Sequence, residues 1–167
     1  EKNVILYSNL FQGNGDNIYE KSPFSRNTNI GIDISFNDMY RKFGLEFLFI
    51  PSCALFPKMA FENVRWNEKL SHSEDWDLYL NILTKNYIFR YFSKPLLIYR
   101  NTANSLSKNV ARTFEANYSI LRNHLTNNNL LFFSKRCAIL YKKSIMAKLL
   151  RKEAKIVKPL FSYSIGS

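Results

Sequence analysis

Between residues 73 and 99 a helix pattern passes into two strand patterns with almost no linker, and this run constrains the fold more than any other part of the chain. Trp76, Tyr79, Leu80 and Leu83 recur at helical spacing, with Leu78 and Ile82 beside them, and Asn86 marks the expected end. Residues 87–92 and 96–99 then read as two short strands divided by Ser93-Lys94-Pro95. A helix that feeds strands this directly belongs to a layered α/β unit. Upstream, residues 3–10 read as a buried strand ending at the turn Gly13-Asn14-Gly15-Asp16, and the polar residues 19–29 as a loop. Residues 34–43 suit a short helix closed by Gly44. Residues 47–50 suit a second strand, before the turn at Pro51-Ser52-Cys53. After Ser107 the pattern is helical over 112–125, breaks at Asn127 to Asn129, and resumes from Leu130 to about residue 158. The expected fold class is therefore α/β over the first hundred residues, followed by a C-terminal helical extension.

The 167 residues suffice for one ordinary core, and 46% hydrophobic with 16% aromatic content supplies the apolar area. No apolar run reaches the length of a membrane span, and the start Glu1-Lys2-Asn3 lacks the layout of a signal peptide. Cys53 and Cys137 have no metal-ligand spacing; two isolated thiols fit a reduced, cytoplasmic protein. Of the net charge of +11, residues 1–100 carry only +1, so the excess lies in the helical part.

Ser73-Glu74-Asp75-Trp76-Asp77 places three carboxylates at the head of the central helix. Electrostatics alone accounts for such a run, since each carboxylate in a first turn is stabilised by about 0.3–1 kcal/mol. Ser73 suits an N-cap, and Ser71 with Glu74 offers an alternative capping box. The functional alternative makes Asp75 or Glu74 a general base at a cleft, with Trp76 as a flat face for a sugar ring or lipid. Packing in the core is the other reading of Trp76. His72 reads as a surface histidine.

Four pieces in order resemble the C-terminal half of a family-2 glycosyltransferase with the GT-A fold. Residues 51–58, PSCALFPK, resemble the small-residue turn that lines the acceptor cleft. Residues 61–70, FENVRWNEKL, are similar to that family's approach segment, and residues 74–80, EDWDLYL, to its helix start. Pro95-Leu96-Leu97-Ile98-Tyr99-Arg100 with Asn104-Ser105-Leu106-Ser107 resembles the closing stretch. The resemblance implies a partial, Rossmann-like GT-A domain over 1–107, with a basic helical extension over 108–167. It implies an inverting transfer in which Asp75 deprotonates an acceptor hydroxyl and Glu74 orients that acceptor. Trp76, Ser52, Tyr99 and Arg100 would bind substrate, Arg100 near the donor diphosphate, where a guanidinium meets two phosphate oxygens. The partners implied are a nucleotide-sugar donor and a glycan or lipid-linked acceptor.

Two features depart from the family pattern. A divalent cation, Mg²⁺ or Mn²⁺, is implied, yet the usual His ligand position is Thr102, a poor ligand by comparison. The strand-borne D-x-D and the nucleotide-binding half are also absent from these residues; the one literal D-x-D is Asp75-Trp76-Asp77. The expectation is a fragment of a longer enzyme. A non-catalytic module that binds a partner or membrane is the alternative.

In the last stretch, Ile145, Met146, Leu149, Leu150, Ile156 and Val157 fall on one side of a helical wheel. Lys148, Arg151, Lys152, Lys155 and Lys158 fall on the other. A basic amphipathic helix suits contact with an anionic membrane, here the inner face; packing on the catalytic domain suits it equally. No nucleic-acid motif accompanies the charge, so nucleic acid is not expected as a partner. An exposed edge strand would favour oligomers.

Overall fold

The computed structural model describes residues 3–14, 17–19, 33–62, 64–100 and 110–151. It is a mixed α/β protein in which a five-stranded sheet carries helices. Strand β1 (Asn3–Asn14) lies at the centre, parallel to β5 (Tyr87–Arg100) on one edge. On its other edge it pairs antiparallel with β2 (Asn17–Tyr19) and β4 (Ala54–Leu55). Strand β3 (Asp33–Ile34) pairs antiparallel with β5 at Arg90 and Phe89, where Arg90 holds Asp33 through two charge-assisted bonds of 2.7 and 2.9 Å.

Residues 87–100 form one strand, not two. The register of β5 against β1 skips at Ser8 and Leu10, passing from Phe92 to Leu97, so Ser93, Lys94, Pro95 and Leu96 lie in the bulge. Pro95, which has no N–H to give, sits where the ladder needs none. The strand expected at residues 47–50 does not form: Phe47 makes a single bridge to Phe43, and the chain then enters the 3-10 turn Pro51–Cys53.

Helix α1 (Phe36–Lys42) is shorter than the expected 34–43 because Ser35 caps it. The Asp38 N–H donates to Ser35 Oγ, and the Asp38 carboxylate takes the Ser35 N–H in return. Gly44 takes φ +73° just past its end, a conformation that glycine adopts freely. Helix α2 (Glu74–Leu83) runs back along the sheet and, through a turn with Asn86 at φ 62°, delivers the chain into β5. Ile5, Tyr7, Phe89 and Tyr91 share one face by register, and α2 packs there through Tyr79. Its ring stacks on Phe49 at 4.7 Å and meets Phe89 edge-on at 5.1 Å, while Tyr7 stacks on Phe49 at 4.4 Å.

Helices α3 (Val110–Asn123) and α4 (Leu130–Arg151) are not a separate body. Ile120, Leu121 and Cys137 belong to the same buried cluster as the sheet and α2. Polar contacts fix the docking: Tyr40 Oη donates to the Leu121 carbonyl, and Arg136 donates to the carbonyls of Arg41 and Phe43. Between the two helices the buried Asn129 amide bonds the Thr126 N–H and the His124 carbonyl, which breaks the helix where the sequence places the break. Beyond Arg151 the expected helix, with Lys152, Lys155 and Lys158, lies outside the described residues, as does most of the loop expected at 19–29.

Trp76 is core. It is 1% exposed, its Nε1–H donates to the Met39 carbonyl at 3.1 Å, and it stacks on Phe43 beneath the Arg136 guanidinium. Replacing Trp76 by alanine is expected to lower unfolding free energy by about 3–5 kcal/mol in urea titrations. Leu96→Ala, at a side chain 73% exposed, should change it by no more than about 0.5 kcal/mol.

Candidate functional site at the head of helix α2

Successive helical positions turn by about 100°, so adjacent carboxylates cannot share one direction. Glu74 points to solvent, Asp75 is half-buried, and Asp77 is buried. Asp77 accepts from His124 Nε2 at 2.9 Å and from Asn81 Nδ2 at 3.2 Å, which ties α2 to the end of α3. That carboxylate is structural, and His124 is its partner.

Asp75 is held differently. Its Oδ1 accepts the N–H of Trp76 at 2.8 Å, and Tyr79 lies one turn further along the same face of the helix. The Tyr79 ring is fully buried, and its hydroxyl has no hydrogen-bond partner among the described residues. Burial pushes the Tyr79 hydroxyl well above its ordinary value, with the charge of Asp75 and then the Cys53 thiol adding to the shift. Burial also raises Cys53. The Asp75 carboxyl is pushed up to about 6 by burial and by Glu74, against the opposing bond from Trp76 N–H. A helix N-terminus favours the ionised form, yet here desolvation wins.

The helix head is not capped as the sequence suggests. Ser73 sits at φ 57°, in the left-handed region, and makes no side-chain cap bond. Ser71 Oγ does not form a capping box with Glu74; it lies 3.0 Å from His72 Nδ1, and His72 is buried, not on the surface. A non-glycine residue at positive φ stores strain of about 1–3 kcal/mol, here immediately before the raised carboxyl.

The other candidate residues are distributed unevenly. Ser52 is exposed in the 3-10 turn that also carries the buried Cys53. Arg100 and Tyr99 stand at the far end of β5, opposite Gly13 and Gln12. Six residues of β1 separate that level from the Tyr7–Tyr91 level, on the order of 20 Å at the usual strand rise. Trp76, expected as an acceptor platform, faces the core and offers no surface to a ligand. Thr102 and the side chains of Lys148 and Arg151 lie outside the described part of the structure. Among the described residues no three His, Cys, Asp or Glu side chains group to hold a metal ion, and Asp77 is already committed to His124. A shallow depression of about 290 Å³ lies elsewhere, between Met59, Glu62, Lys85 and Tyr87.

Tyr79 and Cys53 are the members of this group that the sequence reading leaves out. The i, i+4 spacing of Asp75 and Tyr79 is the signal for the first; nothing local signals Cys53. Comparison with protein-family models, with curated proteins and with solved structures gives no match.

Two measurements check this geometry. The Asp75 carboxyl should titrate by carbon NMR with a midpoint near 6. Because the folded value exceeds the ordinary 3.8, its stabilising contribution is complete below that pH and is lost as pH rises through 6. Asp75→Asn should therefore raise stability at pH 8 by up to about 3 kcal/mol, with the difference gone below pH 4. Ser73→Gly should stabilise by about 0.5–1 kcal/mol, where loss of a side-chain cap would destabilise.

Proposed function

We propose that this chain is the acceptor-side part of an inverting glycosyltransferase with the GT-A fold, and that Asp75 is its general base. The carrying observation is a half-buried carboxyl at a helix head, raised to about 6 beside exposed Glu74. A base works best when its value lies near the working pH, and at neutral pH this one is ionised and ready to take a proton. In the proposed step a lone pair of the acceptor oxygen attacks the anomeric carbon of a nucleotide sugar. The hydroxyl proton passes to Asp75, and the nucleoside diphosphate leaves from the opposite face with the bonding pair. Glu74 hydrogen-bonds the acceptor; Arg100 and Tyr99, on the order of 20 Å along the sheet from the Tyr7–Tyr91 level, stand too far away to hold the diphosphate of the same donor. The four sequence pieces in order support this reading, as does the helix-to-strand passage from α2 to β5. With a lipid-linked or polysaccharide acceptor, the enzyme works in the cytoplasm at the inner face of the membrane. No helix among the described residues is long and apolar enough to cross one.

A non-catalytic module derived from such an enzyme is the second reading, and one observation favours it. The only D-x-D in the sequence is Asp75-Trp76-Asp77, whose second aspartate is taken by His124. Calorimetric titration of this chain with nucleotide sugars separates the readings on the donor side.

In the whole protein, Asp75→Asn should lower kcat by at least about 100-fold while the fold is retained, and Glu74→Gln should act mainly on acceptor KM. The acid limb of the rate profile should fall near pH 6. Turnover retained by Asp75→Asn would sink the assignment.

A further inference from the structure

The outer face of α4 differs from an ordinary solvated helix face. Arg136, Cys137 and Ser144 are buried, and Phe133 and Leu140 are half-buried, so this stripe of the helix turns inward. Leu131, Lys135, Ile139, Lys142 and Met146 recur every three or four residues on the opposite side, and all five are exposed. Leu131 is 62% exposed, Met146 48% and Ile139 38%; Lys143 and Ala138 flank them, also exposed. Residues 130–151 contain no aspartate or glutamate. The stripe thus interleaves large apolar side chains with cations, and α4 itself has no carboxylate to pair the lysines.

We propose that this face is a docking surface for an anionic lipid bilayer, with the helix lying in the plane of the headgroups. Leu131, Ile139 and Met146 enter the acyl boundary, while the lysine stems lie along it and carry their ammonium groups out to lipid phosphates. Charge complementarity selects this occupant. A second copy of the face would set lysine against lysine with nothing to neutralise them. A nucleic acid would satisfy the lysines but leave the three aliphatic side chains without use, and no aromatic ring on the stripe offers a stacking partner. The surface precedes the segment that sequence pattern alone singles out. Met146 and Ile145, which the sequence pattern leaves to either a membrane or the core, face outward, while Arg136 goes in. The proposal stands apart from the glycosyl-transfer reading, and its test involves no sugar.

The experiment is vesicle co-sedimentation of the full chain, using phosphatidylcholine alone and phosphatidylcholine with roughly one third phosphatidylglycerol. Binding is expected only to the anionic vesicles, and it should weaken as salt rises. Lys135→Glu with Lys142→Glu should reduce affinity at least about 25-fold, from roughly fivefold per lysine at the surface. Leu131→Ser, Ile139→Ser and Met146→Ser together should reduce it further, with thermal melts showing each variant folded. Several outcomes overturn the proposal. These are equal binding to neutral vesicles, binding unchanged by both sets of substitutions, or binding lost only on removing residues 152–167. Self-association in the absence of lipid that the same substitutions abolish also overturns it. So does tighter binding to duplex DNA that the serine variants leave intact.

Discussion

Three helices meet at the indole of Trp76, and the cation that covers it is what the helical half of the molecule depends on. Arg136 enters from α4 with 5% of its surface exposed, donates to the carbonyls of Arg41 and Phe43 at the end of α1, and lies 4.9 Å over the Trp76 ring of α2. Among the described residues no carboxylate pairs with it. The negative end of a helix and the π face of an indole do so instead, which a planar, weakly hydrated guanidinium accepts and an ammonium would not. Burial lowers its value to about 10, so it stays charged at neutral pH. A second cation repeats the device nearby, with Arg41 lying 3.6 Å over Phe132.

The same anchoring decides how the acidic run divides its work. Trp76 fixes the rotation of α2 about its axis, and the three carboxylates follow from that one setting. Asp77 is driven inward to His124, Glu74 outward to water, and Asp75 to the margin beside Tyr79. One residue of rotation would expose the indole and bury Glu74 without a partner, at a cost of several kcal/mol for the charge alone. A raised carboxyl at a helix head is thus a by-product of packing as much as of electrostatics.

The α/β character, helix α2 and the two terminal helices are legible in the sequence because each rests on periodicity within ten or twenty residues. The misreadings turn on distant partners or on a backbone angle that residue type does not announce. Trp76 next to carboxylates looks like a platform until a guanidinium sixty positions later covers it. Ser73 has the right chemistry for a cap, but a backbone at φ 57° turns its side chain away from the helix N–H groups. Pro95 divides a strand on paper, whereas β1 bridges the bulge and the strand continues. For the candidate site, Asp75 and Glu74 follow from local pattern. Tyr79 joins it by helical spacing and is held there by its stack on Phe49, and Cys53 joins it only through the fold.

The residue that seats on Arg136 is the immediate neighbour of Asp75 in the chain. The outer stripe of α4 and the carboxylate on α2 are therefore two readings on one rigid rule. Under the two proposals above, a bilayer on that stripe and an acceptor at Asp75 would be held at one separation by this contact. Length becomes a criterion of choice. Under those proposals a tethered acceptor with too short a stalk would stop below the carboxylate and one with too long a stalk would overshoot it, with no side chain touching the stalk.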